Sequence, residues 1–219
     1  MKKNIAMRVA AFLFILTMIS TCAFATTFAK YTTSADADDT ARVAKWGVKL
    51  NMSADGSAFL KAYDNESTPT VKSSNEQKVV APGTSGILFE FSISGKPEVD
   101  AQVSVSLTFT LENWIVDGNF YCPLVFKVGS TEIKGASYTS AEDLQNAIIA
   151  AVKVDEKYEC EETAEINVSR KVTWEWAFGT DADEEANRKD TVLGNSVDLE
   201  NGKYPKITFE VIASVNQLN

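Results

Sequence analysis

Residues 99–111 read Val-Asp-Ala-Gln-Val-Ser-Val-Ser-Leu-Thr-Phe-Thr-Leu, and this stretch decides the fold. Seven apolar side chains, Val99, Ala101, Val103, Val105, Leu107, Phe109 and Leu111, alternate without a break with Asp100, Gln102, Ser104, Ser106, Thr108 and Thr110. Successive side chains of an extended chain point to opposite faces, so this spacing predicts one long strand with a buried face and a wet one. The same period of two recurs at Ile87, Phe89, Phe91 and Ile93, at Val172, Trp174, Trp176 and Phe178, and at Ile207, Phe209, Val211, Ala213 and Val215. Strands with one apolar face bury it against a second sheet. Residues 81–84 (Ala-Pro-Gly-Thr) and 94–97 (Ser-Gly-Lys-Pro) punctuate the second of these strands as turns, and residues 43–52, 58–63 and 123–128 are further strand candidates. The expected fold is all-β, an antiparallel two-sheet sandwich, jelly-roll-like or immunoglobulin-like, with one or two short helices inserted between strands. Its core should hold Val105, Leu107, Phe109, Trp174, Trp176 and Phe209.

Helical spacing interrupts this pattern once. Ser140 with Asp143 three residues on resembles a capping box, and Leu144, Ile148, Ala151 and Val152 then share one helix face. Residues 181–189 form a second, more polar helical or loop segment.

The 219 residues, 45% hydrophobic and 23% charged, have ordinary globular composition, which excludes wholesale disorder and a multi-span membrane protein. The first 29 residues hold Lys2, Lys3 and Arg8 and no acid, leaving 18 basic against 30 acidic side chains, a formal charge of −12. Nucleic acid is therefore not the expected partner, because phosphate binding needs a basic stripe. The chain contains no histidine, which removes Ser-His-Asp and Cys-His nucleophiles, HExxH zinc sites and imidazole bases together. An enzyme is not expected.

Residues 1–8 are basic and residues 9–19 form an apolar run, long enough for a signal peptide but short for a stable membrane span. Small-residue cleavage patterns occur at residues 23–25 (Ala-Phe-Ala) and 27–29 (Thr-Phe-Ala), and sequence alone does not choose between them. After export, Cys122 and Cys160 are the remaining cysteines, which permits one disulfide closing a loop of about 38 residues or, equally, two free thiols. No cofactor is expected. Two acidic groups, Asp36, Asp38 and Asp39, then Asp181, Asp183, Glu184 and Glu185, have spacings that could offer oxygens to calcium; of these Asp181, Asp183 and Glu185 are the better candidates, and solvated loops are the commoner outcome. Trp174 and Trp176 read as core, whereas Trp46 and Trp114, if both exposed and coplanar, would make a sugar-stacking platform.

Several segments carry a resemblance. Residues 27–31 (Thr-Phe-Ala-Lys-Tyr) followed by residues 41–48 (Ala-Arg-Val-Ala-Lys-Trp-Gly-Val) resemble the processing region and first strand of the TasA and camelysin family. Residues 80–86, 172–178, 190–194 and 212–217 resemble further segments of its members. The resemblance implies a jelly-roll sandwich, a SipW-type signal peptidase as the processing partner, and a secreted biofilm-matrix protein without a stable membrane anchor after processing. It favours cleavage between Ala29 and Lys30, giving three regions: a signal peptide (1–29), an extended N-terminal segment (30–40) and a sandwich domain (41–219). In fibre-forming members the segment freed by processing is donated to the next subunit, here Lys30, Tyr31, Thr32, Thr33 and onward. The partner is then a second copy or another secreted matrix protein, in the extracellular matrix or at the cell surface. A secreted adhesion or carbohydrate-binding module is the alternative, and a camelysin-type metallopeptidase is disfavoured by the missing histidines.

Overall fold

A computed structural model describes residues 42–53, 58–63, 71–73, 78–160, 165–179 and 183–218. The chain divides into two units, Met1–Ala44 and Lys45–Asn219. Of the first, only residues 42–44 are described, and they have no regular structure.

The second unit is all-β and sandwich-like, with antiparallel sheets and two helices. In chain order it contains β1 (Val48–Ser53), β2 (Ala62–Tyr63), β3 (Val71–Lys72), β4 (Thr84–Gly95), β5 (Ala101–Glu112), β6 (Ile115–Val116), β7 (Asn119–Phe120), β8 (Val125–Val128) and β9 (Thr131–Lys134). Helix α1 (Ala141–Val152), β10 (Val154–Tyr158), β11 (Ile166–Trp176), helix α2 (Glu184–Asn195) and β12 (Lys206–Gln217) follow. One sheet has the order β1-β4-β11-β8-β9 and the other β10-β5-β12, with two short hairpins, β2-β3 and β6-β7, at the ends. Every pairing is antiparallel.

The alternation read at residues 99–111 is that of β5, whose Ala101, Val103, Val105, Leu107, Phe109 and Leu111 are buried while the residues between them face outward. Across the sandwich Phe109 meets Phe126 of β8 edge-on at 5.5 Å, and Phe209 of β12 meets Phe89 of β4 at 5.8 Å. Trp174 and Trp176 are buried as expected.

Three expectations need correction. Ile87 does not share the inner face of Phe89, Phe91 and Ile93: it is 45% exposed, and Leu88 is buried in its place. Val172 pairs with Phe89 but Thr173 pairs with Ile87, so Leu88 is the extra residue of a bulge that flips the face of the strand before it. Phe178 lies beyond the end of β11 and is 46% exposed. Its ring occupies the space a side chain at Gly83 would need, and Gly83 (φ +82°) makes the turn into β4 while its N–H donates to the Trp176 carbonyl at 2.7 Å. Phe209 is half-buried, because β12 lies at the edge of its sheet.

Helix α1 starts where its cap predicts. The Ser140 hydroxyl accepts from the Asp143 N–H at 3.1 Å and donates to the Asp143 carboxylate at 2.7 Å. Leu144, Ile148 and Val152 are fully buried against β5, β8 and β9, each side chain contributing about 1.5–3 kcal/mol from burial. The second helical segment runs further than the sequence pattern, to Asn195.

Candidate functional site: an open edge and an aromatic cavity

Among the described residues, the stacking of the sheets leaves one position unfilled. Phe109 over Phe126 sets β5 above β8, and Phe209 over Phe89 sets β12 above β4. One step further along the five-stranded sheet lies β1. Among the described residues, no strand lies beside β12 to face it. Val48, Leu50 and Met52 pair with Gly95, Ile93 and Phe91, so they share the inner face of β4. Yet Leu50 is 41% exposed and Met52 36%, a sign that the covering layer stops short of them. On β12 the inward residues Val211, Ala213 and Val215 are likewise only half-buried. The result is an apolar slot, one strand wide, with β12, which no described strand pairs on its outer side, along one wall.

Towards the start of β12 the slot closes against residues 58–63 and 78–80. The Trp174 Nε1–H donates to the Ala58 carbonyl at 2.8 Å, and the Phe59 ring lies 5.4 Å from Trp174 and 6.3 Å from Phe209. The Tyr63 hydroxyl accepts from the Leu60 N–H at 2.9 Å and donates to the Val79 carbonyl at 2.8 Å; burial raises its pKa.

At that end lies a cavity of about 360 Å³ walled by Phe59, Trp114, Trp176, Leu193, Tyr204 and Ile207. Both indole N–H groups are already engaged, Trp114 to the Lys206 carbonyl and Trp176 to Asp190 Oδ2, each at 3.1 Å. Asp190 also accepts from the Tyr121 hydroxyl at 2.7 Å, which fastens α2 to the sandwich. Burial foremost, then that carboxylate, push the Tyr121 phenol well above its usual range.

Of the acidic residues singled out in the sequence, Asp183 and Glu185 are otherwise occupied. Asp183 caps α2 by accepting from the Ala186 N–H at 3.2 Å. Glu185 takes two bonds from Arg188, each 2.9 Å, and Arg188 reaches Asp117 at 2.8 Å. The Arg188 hydrogen bond lowers the Glu185 carboxyl to about 2. Asp181 lies outside the described residues, as do Asp36, Asp38 and Asp39; among the described ones no cluster of three or more acidic, cysteine or histidine side chains could hold a metal. Ala29, Lys30, Tyr31, Thr32 and Thr33 lie outside them too.

Cys122 and Cys160 are free thiols, so the permitted bridge is not formed. Cys160 donates its N–H to Asp100, just before β5, whereas Cys122 follows the hairpin that leaves the far end of β5 and packs beneath Gly135. β5, 12 residues long, spans roughly 36 Å at about 3.3 Å per residue, and it lies between them, against the about 7 Å limit for bridging. Burial pushes the Cys122 thiol up to about 12. Trp114 is buried and Trp46 exposed, so the two do not form a shared sugar platform. Sequence patterns missed the cavity, whose walls come from widely separated segments between Phe59 and Ile207, and they missed Leu50 and Met52 because β1 was read only as a strand.

No family model, curated protein or solved structure matches the chain. Among the described residues no helix is long and apolar enough to cross a membrane. The class that the fold defines is an all-β, sandwich-like protein whose second sheet has three strands among the described residues.

Proposed function

We propose that this is an exported structural protein of the extracellular matrix whose copies assemble by strand addition, residues 30–40 of one copy filling the slot beside β12 of the next. The observation that carries the reading is the slot itself: inward-facing Leu50 and Met52 left exposed opposite β12, whose outer side no strand pairs among the described residues. An added strand satisfies that edge with main-chain hydrogen bonds and covers apolar surface at the same time. The signal region and the resemblance of residues 27–31 and 41–48 to TasA-like proteins supply the donor and the SipW-type processing step.

The donor's side chains fit such a slot. Tyr31, Thr33, Ala35 and Ala37 alternate with Lys30, Thr32, Ser34, Asp36 and Asp38, so one face is apolar or small and the other polar. Near Phe209 the space is already taken by Phe59 and Phe89, which suits the alanines. The open end near Ala213 and Val215 has room for Tyr31. Antiparallel addition to β12 satisfies both, with Tyr31 across from Val215 and Ala37 across from Phe209, and brings Asp38 and Asp39 towards Lys206 rather than setting Lys30 there.

The test compares fibre formation by the chain beginning at Lys30 with that of the chain beginning at Ala41, both viewed by electron microscopy. The shorter chain should fold and stay monomeric; identical fibres from both would refute strand donation. Direction is read by disulfide trapping in a Cys160→Ser background. Ser34→Cys with Ile212→Cys should link neighbouring subunits, whereas trapping of Ser34→Cys with Glu210→Cys instead would mean parallel addition.

A further inference from the structure

The cavity at the start of β12 is not needed for strand addition, and its chemistry is unlike the rest of the surface. The rings of Phe59, Trp114, Trp176 and Tyr204 line it, and aliphatic side chains make up most of the remainder. Its volume of about 360 Å³ lies at the lower end of the range of small-molecule sites, about 300–1,000 Å³.

Hydrogen-bonding capacity in these walls is largely spent inside the protein. The Trp114 Nε1–H donates to the Lys206 carbonyl and the Trp176 Nε1–H to Asp190, each at 3.1 Å. On the main chain, the Val79 N–H donates to the Leu60 carbonyl at 3.0 Å, and the Val79 carbonyl accepts from the Tyr63 hydroxyl at 2.8 Å. The Leu193 carbonyl accepts from the Ser196 hydroxyl at 2.7 Å, and the Tyr204 carbonyl from the Asn113 side chain at 3.2 Å. A ligand that depends on many hydrogen bonds, such as a sugar, would find few partners there.

Charge is withheld in the same way. Among the described residues no aspartate or glutamate lines the cavity. Lys78 is already engaged, and Lys206 lies on the outer face of β12, opposite Glu112 of β5. An ion entering this space would give up its hydration with nothing to replace it. The walls therefore select an uncharged molecule, and one that gains from packing against rings. Val197 and Leu199, which also line the cavity and are half-exposed, continue the apolar surface outward as its mouth.

We propose that this cavity binds small neutral aromatic compounds, held against the indoles of Trp114 and Trp176 with no ionic anchor. The proposal does not depend on strand donation.

Fluorescence titration with N-phenyl-α-naphthylamine, a neutral dye, tests it against the anionic analogue that carries a sulfonate on the naphthalene ring beside the amine. That sulfonate sits at the middle of the molecule, so it cannot stay in water while both ring systems are bound. The neutral dye should saturate one site with a rise in emission, and the anion should bind at least about tenfold more weakly, the equivalent of about 1.4 kcal/mol. Gly194 lines the cavity, and no other side chain or distant backbone lies within 4 Å of where its Cβ would stand, so Gly194→Leu should fill part of the space and weaken the neutral dye without a clash. Leu50 faces the slot and is not among the cavity's lining residues, so Leu50→Ser should leave the dye's affinity unchanged. Absence of saturable binding by the neutral dye, equal affinity for the two dyes, binding untouched by Gly194→Leu, or binding lost in Leu50→Ser, which would place the dye in the slot, would each overturn the proposal.

Discussion

The two flanks of the sandwich use equally apolar strands and finish differently. On the flank of β8, β9 and β10, helix α1 seals the gap between the sheets, and Leu144, Ile148 and Val152 disappear completely from solvent. On the flank of β1 and β12 the described residues provide no such seal, and Leu50 and Met52 keep more than a third of their surface in water. Hydrophobic side chains on the first flank stabilise the monomer. Those on the second contribute little until something else covers them, which is how an apolar surface becomes available for association rather than for folding.

The sharpest way to break this contrast is a pair of truncations. Leu144→Ala should destabilise the protein by about 2–5 kcal/mol in urea melts, since the site is fully enclosed and leaves a cavity. If the loss is below about 1 kcal/mol, α1 is not the seal described. A second effect on the sealed flank is alkaline sensitivity. The Cys122 thiol titrates at about 12 when folded against 9.0 for the unperturbed group, so the unfolded chain releases its proton first and stability falls as pH rises from 9 towards 12. Tyr63, Tyr121 and Tyr158 are raised as well and act in the same direction, so the Cys122 share is the difference in slope between Cys122→Ala and Cys160→Ala. Each unit of separation corresponds to about 1.4 kcal/mol, and equal slopes in the two variants would show that Cys122 is not desolvated. The smallest expected effect on stability belongs to the open flank. Leu50→Ser should change the monomer's unfolding free energy by no more than about 0.5 kcal/mol while slowing fibre growth from the chain beginning at Lys30. A large loss of monomer stability would mean that Leu50 is already covered.

Much of this architecture is written locally in the sequence. The unbroken alternation of β5 and the Ser140–Asp143 cap depend on neighbours a few residues away, and both appear where the pattern puts them. Ile87 shows where local reading ends: the alternation there looks continuous, but the partner strand skips Leu88, and only the pairing with Val172 and Thr173 reveals the bulge. Phe178 has strand spacing yet falls after the last ladder pair of β11. The open flank is less legible still, because Leu50, Met52 and Val215 have unremarkable strand patterns. Their exposure follows from sheet order, a relation between strands at opposite ends of the described chain. Likewise, Cys122 and Cys160 form an even pair by count, but the length of β5 keeps them apart.

The position of β12 in the chain has a kinetic consequence. It is the last strand in chain order, and its partner β5 lies about 100 residues earlier, as Phe209 opposite Phe109 illustrates. Synthesis proceeds from the N-terminus, so one wall of the slot is missing until nearly the whole described chain has emerged, and closing so long a loop makes this pairing one of the slower steps. On the proposed strand-addition reading, a chain would carry its N-terminal segment well before it carried an edge able to receive it. Delay of this kind would act as a timer, because the edge of β12 exists only once β12 has paired with β5.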